Sequence, residues 1–260
     1  MTFKSSVIML CFEQKIVKYD QKPMKPIVKK IKAKLTSVNH LTFPETCLHC
    51  STELIEKEDF ICNFCSLNLQ FTNFENQGEI NNMDKLFWGK LPIHGAFALF
   101  YFEENSAVQK IIHALKYENN AKIGIKYGQM IGEKISQIQS FNNLDALLPV
   151  PIQPAKKFRR GYNQAELIAQ GVSEILKIPV RNDVALKIKH TESQTQKSMW
   201  ERWQNSQNIF HSKAPLNEYK HIGLVDDVLT TGSTIERFVE SLRINNPFLK
   251  ISVITLAITK

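Results

Sequence analysis

Apolar and polar positions alternate along this chain in two periods. "GAFALFYF", Gly95 to Phe102, is an apolar, aromatic-rich run and predicts a strand. The segment 107–138 then switches to a helical period, with Ile111, Ile112 and Leu115 followed by Met130, Ile131 and Ile135. Gly124 and Gly128 interrupt that period and mark a break or a close packing contact, not a loop. "LDALLPVPI", Leu144 to Ile152, is a continuous apolar run closed by prolines, as expected of a strand buried on both faces. "YNQAELIAQGVSEILKI" returns to the helical period, with Ala165, Ile168, Ala169 and Val172 on one side. A short strand near "IPV" and a polar stretch from His190 to Asn208 come next. The strand "HIGLV", a helix from about Ser233 to Ile244 and a terminal strand "KISVITLAI" complete the chain. Buried strands alternating with helices predict an α/β fold with a parallel sheet.

The region upstream behaves differently. Residues 1–23 show no clear period and end at Lys22-Pro23. Met24 opens "MKPIVKKIKAKL", which places Val28, Ile31 and Leu35 on one helical face with lysines opposite. The expectation is that Met24 is the true start. The organisation predicted is a basic tail over 1–42, a cysteine-centred module over 43–75 and a main domain over 90–260.

Composition narrows the class. With 43% hydrophobic and 22% charged residues in 260, the chain is of the soluble globular kind. No run reaches the roughly 18 apolar residues that a membrane-spanning helix needs, and "SSVIMLC" is too brief for a signal-peptide core. A cytoplasmic location is the default expectation. The net charge of +8 is concentrated: residues 1–46 carry nine lysines against Glu13, Asp20 and Glu45, which leaves only +2 for everything after them. The basic signal therefore belongs mostly to the tail and does not by itself specify a nucleic-acid partner.

Cysteine usage is selective. Cys11 stands alone, whereas Cys47, Cys50, Cys62 and Cys65 form two Cys-x-x-Cys pairs. In a cytoplasmic chain such pairs bind metal more often than they form disulfides, and each knuckle can present two thiolates to one tetrahedral zinc. A module this small lacks an apolar core of its own, so a structural zinc would supply its folding free energy. His49, between Cys47 and Cys50, could replace one ligand, but beside four cysteines it reads as a bystander.

The most informative stretch is "GLVDDVLTTGSTIE", Gly223 to Glu236. Asp226 and Asp227 end a buried strand, and Thr230, Thr231, Gly232, Ser233 and Thr234 form a small-residue turn into a helix. The turn's backbone N–H groups and the positive end of the helix make a phosphate cradle. Carboxylates beside that cradle must face another part of the ligand, and vicinal ribose hydroxyls are the natural partner. The ligand implied is a ribose 5-phosphate. No G-x-x-x-x-G-K-[ST] or G-x-G-x-x-G accompanies the pair, so a Walker-type or dinucleotide site has no support.

"GLVDDVLTTGST" resembles the phosphoribosyl-pyrophosphate (PRPP) signature of type I phosphoribosyltransferases. "IIHALKY", "LLPVPIQPAKKFRRGYNQAELIA" and "HTESQTQKSMWERWQNSQNIF" resemble segments of the ComF family, whose members share that fold and are associated with DNA uptake during natural transformation. ComF-type chains also commonly carry a four-cysteine module ahead of the domain. The resemblance covers about 43–260. It implies a diphosphate loop after the strand at 144–150, with Gln153, Lys156, Lys157, Arg159 and Arg160 as donors. It implies a mobile loop over Thr191, Gln194 and Arg202, and magnesium bound with PRPP. His113 and Lys116 match the family's His-x-Leu-Lys-Tyr pattern, as ligand contacts or as a packed helix face. Trp200 and Trp203 suit one face of a helix better than base stacking. Two functional readings follow: a PRPP-binding protein of DNA uptake that handles single-stranded DNA, or a metabolic phosphoribosyltransferase acting on an unidentified base or amine with no DNA role.

Overall fold

The computed structural model describes residues 44–55, 58–77, 80–187, 210–212 and 216–260. Strands β1 (Gly95–Phe102), β2 (Ala146–Pro149), β5 (His221–Leu229) and β6 (Lys250–Thr259) form one sheet in the order β1-β6-β5-β2. Every neighbouring pair is parallel, which is why the chain must leave the sheet through helices between strands. These strands lie where the apolar runs predict them, and β6 is buried from Ile251 to Ile258. The "IPV" segment contributes a single parallel bridge, Leu147 to Val180, at the outer side of β2. A separate two-stranded antiparallel ribbon joins β3 (Ala185–Lys187) to β4 (Phe210–Ser212), a feature that periodicity did not signal because each strand has three residues.

The helical period at 107–138 resolves into α3 (Ala107–Tyr117) and α4 (Ala121–Ile135), separated at Glu118–Asn120; α1 and α2 are the single turns Asn63–Ser66 and Asn82–Lys85. Ser106 caps α3 by accepting a hydrogen bond from the Gln109 N–H. The long helix α6 (Gln164–Leu176) packs on α4 at backbone contact. A Cβ placed on Gly171 would lie 2.1 Å from the Ile125 carbonyl oxygen, and one on Gly128 would lie 2.3 Å from that of Ile168. The glycines within the helical period are thus a packing requirement, and the break falls elsewhere. Helix α7 (Ser233–Arg243) buries Ile235, Phe238, Val239 and Leu242.

Residues 45–260 form one compact unit. The segment after the cysteines runs along the free edge of β1: Thr72 N–H donates to the Leu99 carbonyl at 3.1 Å and Tyr101 N–H to that of Gln70 at 2.8 Å. This pairing covers an otherwise open sheet edge. Cys47, Cys62 and Cys65 are buried within the same core as Phe97 and Phe100. Residues 1–43, with Cys11 and Met24, lie outside the described residues.

Candidate functional site

The acid pair sits near the carboxyl end of β5, between β6 and β2, where open parallel sheets commonly bind ligands. Asp226 and Asp227 are half-buried and still inside the strand, which continues to Leu229. The Asp227 N–H donates to Asp226 Oδ1 at 2.8 Å. Lys116 Nζ, from the last turn of α3, lies 3.0 Å from Asp227 Oδ2. Burial, and then the neighbouring Asp227 carboxylate, push the Asp226 carboxyl up to about 7, against the pull of Lys116 and Lys187.

These residues line a cavity of about 200 Å³ together with Gln153, Lys156, Arg160 and Gln164. Four cations, Lys116, Lys156, Arg160 and Lys187, therefore face two carboxylates. Segment 153–161 is not a loop but a short helix, α5 (Pro154–Arg160), opened by Pro154 and closed by Gly161 in the left-handed region. Its helical spacing brings Lys156 and Arg160 to one side, the cavity. Lys157 is turned to Glu166 at 3.3 Å, and Arg159 is exposed.

Two donors in this wall are unspent. Arg160 Nη1 donates to Gln164 Oε1 at 2.8 Å, yet Arg160 Nε and Gln164 Nε2 are buried without a partner among the described residues. Buried donors are rarely left unpaired, so oxygen-rich ligand groups fit here. Gln164, which reads in the sequence as a helix-starting residue, is only 1% exposed. Asn163 holds the local geometry: its Nδ2 donates to the Val150 carbonyl and its Oδ1 accepts from the Ala165 N–H. Lys187 had no sequence signal, since it enters from β3; burial pushes its ammonium down, partly offset by Asp226.

The hydroxyl-rich turn follows β5. Gly232 has φ of 80°, a left-handed conformation that side chains resist, and is packed on Phe87. The N-cap of α7, Gly232, has no side chain to cap the helix, and the Ser233 N–H makes a long 3.5 Å contact to Thr231 Oγ1. Thr230, Thr231 and Ser233 are exposed and Thr234 half-buried, and none belongs to the walls of the 200 Å³ cavity. His113 also lies outside it, 3.4 Å from Glu118 and with its ring tilted against that of Tyr117 at 4.9 Å between centroids. Thr191, Gln194, Arg202, Trp200 and Trp203 fall outside the described residues.

The second candidate centre is the cysteine cluster. The Sγ atoms of Cys47, Cys50, Cys62 and Cys65 all lie within 4.8 Å of one another, with Cys50 and Cys62 at 3.6 Å. Thiolates about 2.3 Å from a tetrahedral zinc are about 3.8 Å apart, so the donor set suits that metal. Two tight turns prepare it: Ser51 N–H donates to the Cys47 carbonyl and Ser66 N–H to that of Cys62, each at 2.9 Å. His49 Nδ1 approaches Cys65 Sγ at 3.4 Å, as a neighbour of the cluster.

The fold and these two centres define an α/β protein built on a parallel sheet, with a four-cysteine cluster that could hold a metal such as zinc. The chain is 30% identical to "Competence protein F" of Haemophilus influenzae over 76% of its length and 90% of that protein. It is 28% identical to "DNA utilization protein YhgH" of Escherichia coli K12, over 51% of this chain and 59% of that one. Likewise it is 28% identical to "Competence protein ComFC" of Bacillus subtilis, over 50% and 51%. No family model matches the chain. It belongs to the ComF family.

Two outcomes are expected. If the cluster holds zinc, Cys62→Ser or strong chelation should release it and lower the melting temperature by on the order of 10 °C, because Cys47, Cys62 and Cys65 sit in the shared core; zinc content and thermal melts read this. Asp226 gives the second. Its carboxyl ionises near pH 4 in an unfolded chain and near 7 in the fold. Between those values the folded chain holds a proton that the unfolded chain releases, so the residue's contribution to stability falls as pH rises. Asp226→Asn should melt a few degrees above the parent at pH 8 and lose most of that advantage by pH 5.

Proposed function

We propose that the chain binds PRPP with magnesium at the carboxyl end of β5 and serves DNA uptake during natural transformation. The observation that carries the ligand is the opposition, in one small cavity, of two adjacent carboxylates to four cations and two unspent donors. Asp226 and Asp227 would hold the ribose hydroxyls, and Gln153, Lys156, Arg160 and Gln164 would hold the diphosphate, arginine being suited to bidentate contact. The turn Thr230–Thr234 would take the 5′-phosphate on the N–H groups at the start of α7. Lys157, turned to Glu166, and the exposed Arg159 lie outside the cavity and have the weakest claims among the basic residues.

If the chain is an enzyme, displacement at ribose C1 passes through an oxocarbenium-like state. Asp226 and Asp227 then orient the sugar, while Lys156 and Arg160 stabilise the departing diphosphate. Magnesium bound with the ligand would neutralise part of that charge. No described residue identifies an acceptor.

The DNA role rests on the names of the relatives and on one surface. Helix α5 buries none of its residues, and Phe158 is 93% exposed between Lys157 and Arg159. An exposed aromatic ring flanked by cations suits a single strand, whose bases stack while its phosphates meet the charges.

Calorimetric titration of PRPP with magnesium into the zinc-loaded protein should show binding, abolished by the Asp226→Asn/Asp227→Asn pair. Heat-silent titration of a folded parent would end the PRPP reading. Phe158→Ala should weaken salt-dependent binding of a single-stranded oligothymidylate roughly tenfold or more and leave the PRPP titration unchanged. An oligonucleotide indifferent to this substitution would place DNA elsewhere on the surface.

A further inference from the structure

Lys116 is committed before any ligand arrives. Its ammonium lies 3.0 Å from Asp227 Oδ2, with side chains only 23% and 16% exposed. The helix end that carries it is fixed to the basic wall of the cavity. Tyr162 Oη donates to the Leu115 carbonyl at 2.8 Å, and the Arg160 guanidinium sits 5.2 Å over the Tyr117 ring. Three consecutive residues, Leu115, Lys116 and Tyr117, thus connect the acid pair on β5 with the segment that carries Arg160 and Gln164.

The inference below rests on the ribosyl-phosphate reading of this cavity. A vicinal diol must displace the Lys116 ammonium to reach Asp227 Oδ2. Once displaced, the ammonium has no other acid to meet, because Asp226 and Asp227 are the only carboxylates among the described residues lining the cavity. Breaking a half-buried ion pair without replacing the lost partner is costly. The remaining place for the charge is an anionic group on the ligand itself. A diol without an anion strands Lys116, and an anion without a diol strands Asp227 beside Asp226. Only a ligand that carries both satisfies both residues at once.

We propose that Lys116 is a specificity-determining residue whose ammonium passes from Asp227 to the diphosphate of the ligand, so that the cavity selects a ribosyl compound carrying a vicinal diol and a C1 diphosphate together. Lys156, Arg160 and Lys187 share the cavity without an ion pair of their own among the described residues. They add attraction for any anion, whereas Lys116 links anion binding to diol binding. The same logic disfavours 2-deoxyribosyl compounds, which lack one hydroxyl of the diol. The cavity is then a ribosyl pocket and not a socket for the end of a DNA strand.

The test compares PRPP with ribose 5-phosphate, which has the diol and the 5′-phosphate but no diphosphate. Both are titrated calorimetrically with magnesium into the zinc-loaded parent, Lys116→Met and Lys116→Arg. Lys116→Met should cut the preference for PRPP over ribose 5-phosphate roughly tenfold or more, weakening PRPP and leaving ribose 5-phosphate unchanged or tighter because no ammonium is then stranded. Lys116→Arg keeps the charge and should retain most of the preference. Lys116→Gln replaces the methionine variant if thermal melting shows the latter unfolded. An unchanged preference in the neutral variants would overturn the inference and leave the ribosyl reading standing, as would an equal weakening of both ligands. A parent that binds neither compound removes the ribosyl reading and the role of Lys116 with it.

Discussion

Two adjacent carboxylates at the end of an interior strand are the constraint around which the upper half of this molecule is built. A strand between two neighbours offers little water, and two charges one residue apart repel each other. The structure answers with cations brought from three separate elements: Lys116 from α3, Lys156 and Arg160 from α5, and Lys187 from β3. The compensation is incomplete. Lys116 meets Asp227, whereas the Asp226 carboxyl is left well above its ordinary range. Such an arrangement is poor as a stabilising device and suits a site that waits for a polar ligand.

Holding that geometry falls to the rest of the fold. The α4–α6 contact is close because glycines on both helices remove the side chains that would separate them. This fixes the start of α6, where Asn163 and Gln164 face the cavity region. On the other side of the sheet order, the segment following the cysteine cluster pairs with the edge of β1. The cluster therefore belongs to the same core as the sheet, and a metal bound there would brace the edge strand as well as its own turns.

The cysteine cluster, the cavity and the surface proposed for DNA share one scaffold. Phe158 and Arg159 look outward from α5 while Lys156 and Arg160 look inward. A seven-residue helix without buried side chains can present two faces to two kinds of partner, because no packing requirement competes for either. Ligand occupancy on the inner face and a nucleic-acid strand on the outer one would meet in this element.

Much of the architecture is legible in the residues alone. Continuous apolar runs specify β1, β2, β5 and β6, since a strand covered on both faces tolerates few polar positions. The spacing of Cys47, Cys50, Cys62 and Cys65 anticipates the clustering of their sulfurs, and "VDD" before "TTGST" marks the carboxyl end of a strand. Segment 154–160 is a helix where the family resemblance implies a loop, and its leading proline and trailing glycine fit that helix. Tertiary structure alone decided the strand order, the ribbon that delivers Lys187, and the meeting of Lys116 with Asp227. Periodicity records which face of an element is buried but not which neighbour buries it. An ion pair between a helix and a strand far apart in the chain exists only once the sheet order has brought their ends together.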